Sequence, residues 1–237
     1  MNIITRNIPN SITCLNLGAG CMALICAAHG TNPLWGMHGF QWAFIFIAIG
    51  ALADFLDGFA ARLLHAYSNL GKELDSLCDL VTFGVAPALT LFHLLKEGND
   101  PWICWTVLLI PIAGAVRLAR FNLDTRQTTS FIGLPIPANA IFWIGYAALV
   151  CPDDHISQGI AFLTSWYVFI PILLVECWLM NSSVNMYSLK FRNLSFKENL
   201  PRYLLIPAAG LFCFTLGVGG LLWLIIFYIL TSIAFKK

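Results

Sequence analysis

The chain has 237 residues, of which 59% are hydrophobic and 11% are charged, and its formal net charge is +1. Soluble domains average roughly 45–50% apolar and about 25% charged residues. The composition therefore excludes an ordinary soluble domain and predicts an integral membrane protein, for which we expect no nucleic acid partner.

Apolar runs of about 17–25 residues are typical of membrane-spanning helices, and eight runs of roughly that kind follow one another here. They lie at about 11–28, 40–66, 74–95, 102–120, 135–151, 160–180, 203–217 and 219–235. We expect an all-α protein with eight transmembrane helices, forming a single membrane-embedded domain over residues 1–237. The last two runs meet at Gly217-Val-Gly-Gly220, where either a tight turn between two short helices or one kinked helix fits the sequence.

The basic residues predict how these spans are oriented. With the N-terminus inside, twelve of the 13 Lys and Arg residues fall on the cytoplasmic side, and only Lys96 falls on the other. Such an excess follows the positive-inside rule, so both termini are expected in the cytoplasm. Fusing the last two spans would move Lys236 and Lys237 across, so the pattern favours eight spans over seven. The cytoplasmic set is Arg6, Arg62, Lys72, Arg117, Arg120, Arg126, Lys190, Arg192, Lys197, Arg202, Lys236 and Lys237.

Four aspartates lie within residues 54–79, in a region whose other residues are typical of two membrane spans. They account for four of the 12 acidic residues of the chain. A carboxylate at membrane depth costs about 2.5–3.5 kcal/mol on insertion scales. Because neighbouring carboxylates also repel one another, bound divalent cations are the expected compensation. The four are Asp54, Asp57, Asp75 and Asp79.

The spacing of the aspartates places them on facing helix surfaces. Asp54 and Asp57 are three residues apart, Asp75 and Asp79 are four apart, and both spacings keep side chains on one helix face. A short turn around 67–70 joins the two helices, so their acidic faces are expected to oppose each other near the inner membrane surface. Hard oxygen ligands suit Mg²⁺, Mn²⁺ or Ca²⁺. Two such ions can clamp a phosphoryl group during an in-line displacement.

The residues between the aspartates favour an anionic ligand. Gly58 and Ala61 leave space on the acidic face for a phosphate or a nucleotide. Arg62 can present a fork of donors to a diphosphate. A cation transporter that uses the acidic cavity is the alternative from another class, because intramembrane charges also mark ion pathways.

The string D-x2-D-G-x2-A-R-x8-G-x3-D-x3-D resembles the signature of the CDP-alcohol phosphatidyltransferase family at every specified position. The resemblance implies a six-helix membrane core, with the last two helices, about 203–235, peripheral to it. It also implies transfer of a phosphatidyl group from a CDP-linked donor to an alcohol, with release of CMP and with Mg²⁺ or Mn²⁺ bound, two ions being expected. Homodimers are a further family expectation, and the active site should face the cytoplasm at the inner membrane of a bacterium.

Carried over to this chain, the resemblance assigns roles to individual residues. The four aspartates are implied as metal ligands, with Asp79 also the general base. Gly58, Ala61, Arg62 and Gly71 are implied on the donor-nucleotide side. The stretch Pro9-Asn10-Ser-Ile-Thr13 is similar to the family's Pro-Asn-x-x-Thr opening, which adds Asn10 and Thr13 to that side. A plain helix start is the alternative for the Pro-Asn pair.

Three downstream strings resemble the phosphatidylserine synthase branch of the family. They are Asp75-Ser-Leu-Cys-Asp79-Leu-Val-Thr-Phe83-Gly84-Val-Ala-Pro87, Arg117-Leu-Ala-Arg120-Phe-Asn122 and Gly133-Leu-Pro135-Ile-Pro137. The resemblance implies CDP-diacylglycerol as donor and L-serine as acceptor, whose hydroxyl attacks the β-phosphorus directly. The expected acceptor residues are Arg117, Arg120 and Asn122, because Arg can bind the serine carboxylate through two parallel hydrogen bonds. Glycerol 3-phosphate and inositol phosphate are the alternative acceptors, and membrane anchoring is the alternative for the two arginines.

Overall fold

The computed structural model describes residues 3–98, 100–123, 131–151, 161–187 and 196–235, and in this part of the chain the fold is almost entirely helical. The α-helices are α1 (Ile3–Ala27), α2 (Gly39–Leu63), α3 (Asn69–Asp79), α4 (Ala86–Lys96), α5 (Leu109–Leu123), α6 (Ile136–Val150), α7 (Trp166–Asn181), α8 (Phe196–Leu216) and α9 (Gly220–Ala234). Two short antiparallel pairs are formed by β1 (Pro33–Leu34) with β2 (Met37–His38) and by β3 (Phe131–Ile132) with β4 (Asn185–Met186). The prediction of an all-α membrane protein is confirmed.

Five helical stretches of the described chain have the length and hydropathy of a membrane span. They are Asn7–Ala27, Gly39–Leu63, Asn69–Lys96, Pro101–Leu123 and Asn199–Ala234. The helices α6 and α7 are apolar but shorter, at 15 and 16 residues. The count of eight spans and the cytoplasmic placement of both termini stay predictions. Of the basic residues used to predict that placement, Arg126, Lys190, Arg192, Lys236 and Lys237 lie outside the described residues.

Two predicted helix starts differ from the structure. The first helix begins at Ile3, so Pro9 and Asn10 lie inside it instead of at its start. The hydrophobic run marks the part of the helix that crosses the membrane, whereas the backbone hydrogen bonds continue into the polar residues before it. For the same reason α8 begins at Phe196, ahead of the apolar run at about 203.

The chain reverses direction between α8 and α9. Gly217 has φ +57°, a left-handed conformation that glycine adopts without steric cost. The rings of Phe212 and Phe227 are 6.5 Å apart although 15 residues separate them along the chain. A continuous helix would separate them by roughly 22 Å at 1.5 Å per residue. The two stretches are therefore separate helices that pack as a hairpin, and a single kinked helix does not describe them.

The third span changes its helical form directly after Asp79. Residues Leu80–Val85 form a π-helical segment, in which the backbone N–H of Ala86 bonds to the carbonyl of Val81. Thr82 in this segment is fully buried and donates its hydroxyl to the backbone oxygen of Asn16 at 3.1 Å. Cβ atoms built at Gly20 and Gly50 would lie 2.4 and 2.5 Å from Thr82 side-chain atoms. The absence of side chains at these glycines lets α1, α2 and the π segment approach closely.

The buried core lies between the later helices and between α1 and α2. A large cluster combines side chains of α4, α5, α6, α7 and α9, with Trp143, Tyr146 and Phe169 among its fully buried members. A smaller cluster joins α1 and α2 to Phe83 and to α6. Large apolar side chains that remain exposed, such as Phe55 and Trp178, fit a surface in contact with lipid.

The loops after α5 and after α7 are tied together at one end of the bundle. Besides the β3–β4 pair, the backbone N–H of Gly133 bonds to the oxygen of Val184, and that of Leu134 bonds to the oxygen of Leu179. Met186 in β4 is fully buried. This arrangement holds residues 131–134 against the end of α7 and against residues 184–186.

Candidate active site and metal centre

Three of the four aspartates come together where α2 meets α3. One carboxylate oxygen from each of Asp54, Asp57 and Asp75 lies within 4.8 Å of the others. The two helices run antiparallel because residues 64–68 reverse the chain, and Ser68 begins α3 by accepting the backbone N–H of Gly71 at 2.9 Å. The i, i+3 and i, i+4 spacings therefore produce the opposed acidic faces expected from the sequence for these three side chains.

The fourth aspartate, Asp79, lies one helical turn further into the bundle. It is only 7% exposed, and it accepts a hydrogen bond from Nδ2 of Asn16 at 3.1 Å. It interacts electrostatically with Asp54 and Asp75. Asp79 is also the last α-helical residue before the π segment, and π-helical turns inside α-helices are frequent at functional sites. Asp79 is therefore not a member of the group of three carboxylates, but it is near enough to interact with them.

Helix α1 supplies polar contacts that orient these carboxylates. Thr13 donates its hydroxyl to Oδ2 of Asp57 at 2.6 Å, and Asn16 binds Asp79 as described. Thr13 was expected on the donor-nucleotide side, and the structure places it both against an aspartate and in the adjoining cavity. Asn16 was not predicted, although it lies three residues after Thr13 and so on the same face of α1.

The acidic group opens into a cavity of about 220 Å³ at the ends of α1, α2 and α3. Five residues expected on the donor-nucleotide side line it, together with two of the aspartates and five residues that the sequence interpretation missed. The expected ones are Asn10, Thr13, Gly58, Ala61 and Gly71, the aspartates are Asp57 and Asp75, and the additional ones are Pro9, Ala66, Tyr67, Ser68 and Lys72. The missed residues are contributed mainly by the turn before α3 and its first helical turn, for which the motif specifies no residue types except Gly71.

Two glycines line this cavity, and they differ in the space that surrounds them. A Cβ atom at Gly71 would lie 2.9 Å from Oδ1 of Asn10 and 3.0 Å from Oγ of Ser68, so a larger residue would displace these two side chains. At Gly58 the nearest atom to such a Cβ is Nη1 of Arg62, at 3.8 Å. The space in front of Gly58 is therefore open, and it is available to a ligand. Arg62 is exposed and its guanidinium lies at the edge of this space.

The residues expected to bind the acceptor fall into three different environments. Arg117 is 6% exposed, and its Nε has no hydrogen-bond partner among the described residues. Its guanidinium interacts electrostatically with Asp79 and lies 5.9 Å from the ring centre of Phe121. Arg120 is exposed and donates to the backbone oxygen of Asn181 at 3.3 Å. The two arginines thus do not share one environment, although i and i+3 positions are neighbours on a helix.

Asn122 connects α5 to α3 on a side of α3 that the motif does not use. Its Nδ2 donates to Oγ of Ser76 at 2.9 Å, and its backbone oxygen accepts from Nζ of Lys72 at 2.7 Å. A weaker contact of 3.4 Å reaches Oε2 of Glu73. These contacts give Asn122 a role in packing the helices, and a contact with the acceptor stays a prediction for this residue.

The acidic group has the chemistry of a site for a hard divalent cation. Carboxylate oxygens of Asp54 and Asp75 lie within 4.8 Å of each other, and Oδ1 of Asp75 is buried without a hydrogen-bond partner among the described residues. Carboxylate oxygens that converge in this way suit Mg²⁺, Mn²⁺ or Ca²⁺ and not the softer metals. A buried carboxylate oxygen without a partner is costly unless a positive charge or a donor meets it. The three aspartates thus fit a metal site.

Comparison with known proteins places these residues in a family. A family model described as CDP-alcohol phosphatidyltransferase matches residues 6–178. A curated protein of Mycobacterium leprae named CDP-diacylglycerol--serine O-phosphatidyltransferase is 33% identical over an alignment 242 positions long, gaps included, which covers 96% of this chain and 73% of that protein. Proteins with the same name from Mycobacterium bovis and Bacillus subtilis are 35% and 40% identical over 178 and 131 residues. The alignments cover 71% and 55% of this chain and 59% and 69% of those proteins.

The matched residues 6–178 contain the four aspartates and every other candidate site residue, whereas α8 and α9 lie outside the match. The resemblance inferred from the motif is confirmed by the family model, and its phosphatidylserine synthase branch by the names of the curated relatives. The chain belongs to the CDP-alcohol phosphatidyltransferase family.

Proposed function

We propose that this protein transfers a phosphatidyl group from CDP-diacylglycerol to L-serine, giving phosphatidylserine and CMP. The observation that carries the proposal is the cavity at the α2–α3 turn, in which Asp57 and Asp75 face the open space beside Gly58 and Ala61. Family membership and the names of the curated relatives support the same reaction and the same two substrates.

In this proposal the aspartates hold Mg²⁺ or Mn²⁺, with two ions at the site. Asp54, Asp57 and Asp75 converge within 4.8 Å, and Asp79 lies beside them as the fourth ligand. When bound, such cations neutralise charge on the diphosphate and on the departing CMP. Thr13 holds the Asp57 carboxylate in position, so its hydroxyl acts on the metal site through that aspartate.

The donor nucleotide occupies the cavity, with its diphosphate toward the aspartates. Gly58 and Ala61 leave room for it, Asn10, Thr13 and Gly71 line the opposite wall, and Arg62 lies at the edge. Lys72 also lines the cavity, while its Nζ donates to the backbone oxygen of Asn122 at 2.7 Å. The acyl chains of the donor can stay in the bilayer while its headgroup enters this cavity.

Transfer occurs by direct attack of the acceptor hydroxyl on the β-phosphorus. A bond forms between the serine oxygen and phosphorus, and the bond from phosphorus to the bridging oxygen of CMP breaks. Asp79 takes the hydroxyl proton as the general base, since it is buried next to the acidic group and Asn16 orients its carboxylate. Arg117 binds the serine carboxylate, because its buried guanidinium lies near Asp79 with Nε unpaired among the described residues. Arg120 and Asn122 contribute at the rim.

The proposed setting follows from the charge distribution of the sequence. We place the protein in the inner membrane of a bacterium with the active site facing the cytoplasm, where most of its basic residues are predicted to lie. The whole chain forms one catalytic domain, with the hairpin of α8 and α9 outside the six-helix core, and the protein functions as a homodimer.

An acceptor panel tests the proposal. The purified full-length protein is incubated with CDP-diacylglycerol, Mg²⁺ or Mn²⁺ and one alcohol at a time, and CMP and the lipid product are identified by mass. We expect CMP release with L-serine, its loss on chelation by EDTA and its return when Mg²⁺ or Mn²⁺ is added back. Release with glycerol 3-phosphate or inositol phosphate in place of serine would move the protein to another branch of the family. Metal uptake into proteoliposomes with no CMP from any alcohol would instead indicate a cation transporter.

A further inference from the structure

One aromatic side chain of the cavity is not used by the packing of the protein. Tyr67 lines the cavity, and its side chain is 73% exposed. Its phenol makes no hydrogen bond, and its ring meets no other ring, within the part of the chain that the structure describes. The face of this ring is therefore free to contact a ligand that enters the cavity.

The backbone holds Tyr67 from both sides. Before it, α2 ends in a Schellman motif, in which the N–H of His65 bonds to the carbonyl three residues earlier at 3.3 Å and that of Ala66 to the carbonyl five residues earlier at 3.0 Å. His65 has φ +49°, the left-handed conformation that this motif requires. After it, Ser68 caps α3 through its side chain. Tyr67 is thus the single residue between two helix caps, so binding a ligand here orders little additional chain.

Tyr67 and the aspartates lie at opposite ends of the cavity. Asp57 is six residues before Leu63, the last residue of α2, and Asp75 is six residues after Asn69, the first residue of α3. Along either helix axis the turn that carries Tyr67 is therefore roughly 9 Å from the carboxylates, at 1.5 Å per residue. A nucleotide has the same division, with phosphates that attract cations at one end, a flat aromatic base at the other and a ribose between them.

A tyrosine near a membrane surface has an alternative role. Tyrosines are enriched at membrane–water interfaces, where their rings anchor helices at the level of the lipid headgroups. That role requires a ring that faces lipid, whereas Tyr67 lines the same cavity as Asp57 and Asp75. Position 67 also falls among the eight residues that the motif leaves unspecified, so the ring is a property of this chain and not of the motif.

We propose that Tyr67 is a base-binding residue of the donor site, whose ring stacks on the pyrimidine of the donor nucleotide. This inference rests on the proposed function, since it takes a CDP-linked lipid as the donor. The phosphates then point to the aspartates, and the ribose lies beside Gly58 and Ala61, which line the cavity between the two ends. Stacking on an aromatic ring stabilises a bound base. Tyr67 therefore strengthens the binding of a nucleotide and has no effect on a sugar phosphate that lacks the base.

The test compares ligands with and without a base. Binding of CMP and of ribose 5-phosphate to the purified full-length protein is measured by calorimetry in the presence of Mg²⁺. For Tyr67→Leu we expect Kd for CMP to rise about five- to thirtyfold, the lower part of the range for base stacking because the ring is exposed. Kd for ribose 5-phosphate should stay within about twofold of the wild-type value. KM for CDP-diacylglycerol should rise with Kd for CMP, while KM for L-serine stays unchanged.

Two further variants are the controls. Tyr67→Phe keeps the ring, so its Kd for CMP should stay within about twofold of the wild-type value. Tyr167→Leu removes another exposed tyrosine, 58% exposed at the start of α7 and outside the cavity lining, and should change neither Kd. Thermal unfolding is followed for all three variants. Should Tyr67→Leu fail to fold, Tyr67→Gln gives the second reading, because it also removes the ring.

Three outcomes would overturn the inference. Kd for CMP in Tyr67→Leu could be unchanged or equal to that of Tyr167→Leu, which would leave the ring as a membrane anchor. Both Kd values could rise by the same factor, which would mean that the residue acts on the phosphate end. Tyr67→Phe could lose as much affinity as Tyr67→Leu, in which case the hydroxyl and not the ring contacts the ligand.

Failure of the proposed function gives a different result. A wild-type protein that neither binds CMP nor releases it from CDP-diacylglycerol with any alcohol contradicts both proposals. A wild-type protein that binds CMP and forms phosphatidylserine, together with a Tyr67→Leu variant of unchanged affinity for CMP, contradicts the role of Tyr67 alone.

Discussion

The two sides of Asp79 are built in opposite ways. On the donor side the lining of the cavity includes Gly58 and Gly71, and the space in front of Gly58 is open. On the side expected to bind the acceptor, Arg117 is 6% exposed and its Nε has no hydrogen-bond partner among the described residues. A nucleotide diphosphate requires room, whereas a small polar acceptor requires close contact with a few side chains. The comparison predicts that substitutions on the two sides affect different kinetic constants.

The largest effect is expected where the two sides meet. Asp79→Asn keeps the size of the side chain and removes its ability to take a proton, so turnover should fall by about 10²- to 10⁴-fold. CMP release measures the turnover, and binding of the donor to the variant is followed separately. Donor binding should partly survive, because Asp54, Asp57 and Asp75 remain. Unchanged turnover would remove Asp79 as the base and leave it as a structural or metal-binding residue.

Substitutions of the two arginines of α5 should differ clearly in their effect on KM for L-serine. Arg117→Lys is expected to raise KM for L-serine by about 10- to 100-fold, since it loses charge-assisted hydrogen bonds in a buried position. For Arg120→Lys the rise in KM for L-serine should be at least five times smaller than for Arg117→Lys, because the Arg120 side chain is exposed and bonded to the backbone oxygen of Asn181. KM for CDP-diacylglycerol, measured in parallel, should change little in either variant. An equal rise of both KM values would place Arg117 at the diphosphate instead.

The two glycines test whether the open donor side is reserved for a ligand. Gly58→Ala meets no protein atom closer than 3.8 Å and lies inside a helix, so it should stabilise the fold by up to about 1 kcal/mol. It should nonetheless raise KM for the donor about three- to tenfold if the β-carbon occupies ligand space. Gly71→Ala should destabilise the fold by up to about 1 kcal/mol, because the added Cβ displaces the Asn10 side chain and the Ser68 hydroxyl that caps α3. Thermal unfolding with and without donor distinguishes the two. A loss of stability in the Gly58 variant without ligand would show that packing, not ligand space, requires this glycine.

The smallest effect is expected at Asn122. Asn122→Ala removes the hydrogen bond to Ser76 but keeps the backbone oxygen that Lys72 contacts, so stability should fall by about 0.5–1.5 kcal/mol. KM for L-serine should change less than in the Arg117 variant. If Asn122→Ala raised KM for L-serine as much as Arg117→Lys does, without loss of stability, Asn122 would be a residue that contacts the acceptor.

The donor side was predictable because its residues are near one another in sequence. Two helices joined by a short turn must run antiparallel, so the i, i+3 and i+4 spacings alone indicate which faces oppose each other. This reasoning placed Asp54, Asp57 and Asp75 together, and the motif supplied most of the predicted cavity lining. It missed Ser68 and Lys72, because their position depends on how the turn before α3 folds against α1.

The surroundings of the residues expected to bind the acceptor were not predictable in the same detail, since they lie on α5, far along the chain from the aspartates of α2 and α3. Helix periodicity assigned Arg117 and Arg120 to one face of α5 but could not show which neighbouring helix covers that face. Arg117 is buried and Arg120 is exposed, although positions three apart differ by only about 60° around the axis of an ideal helix.

The π-helical segment after Asp79 lets one span make two unrelated sets of contacts. Each residue of an α-helix is rotated by about 100° relative to the one before, so a wider turn shifts the angular phase of all that follows. The residues before Leu80 can thus face the aspartates of α2, while those after Val85 present an apolar face to α6. Deleting or adding a single residue between 80 and 85 would rotate one half of the span against the other. The length of this segment should therefore tolerate change far less than the identity of its half-buried side chains, those of Leu80, Val81 and Val85.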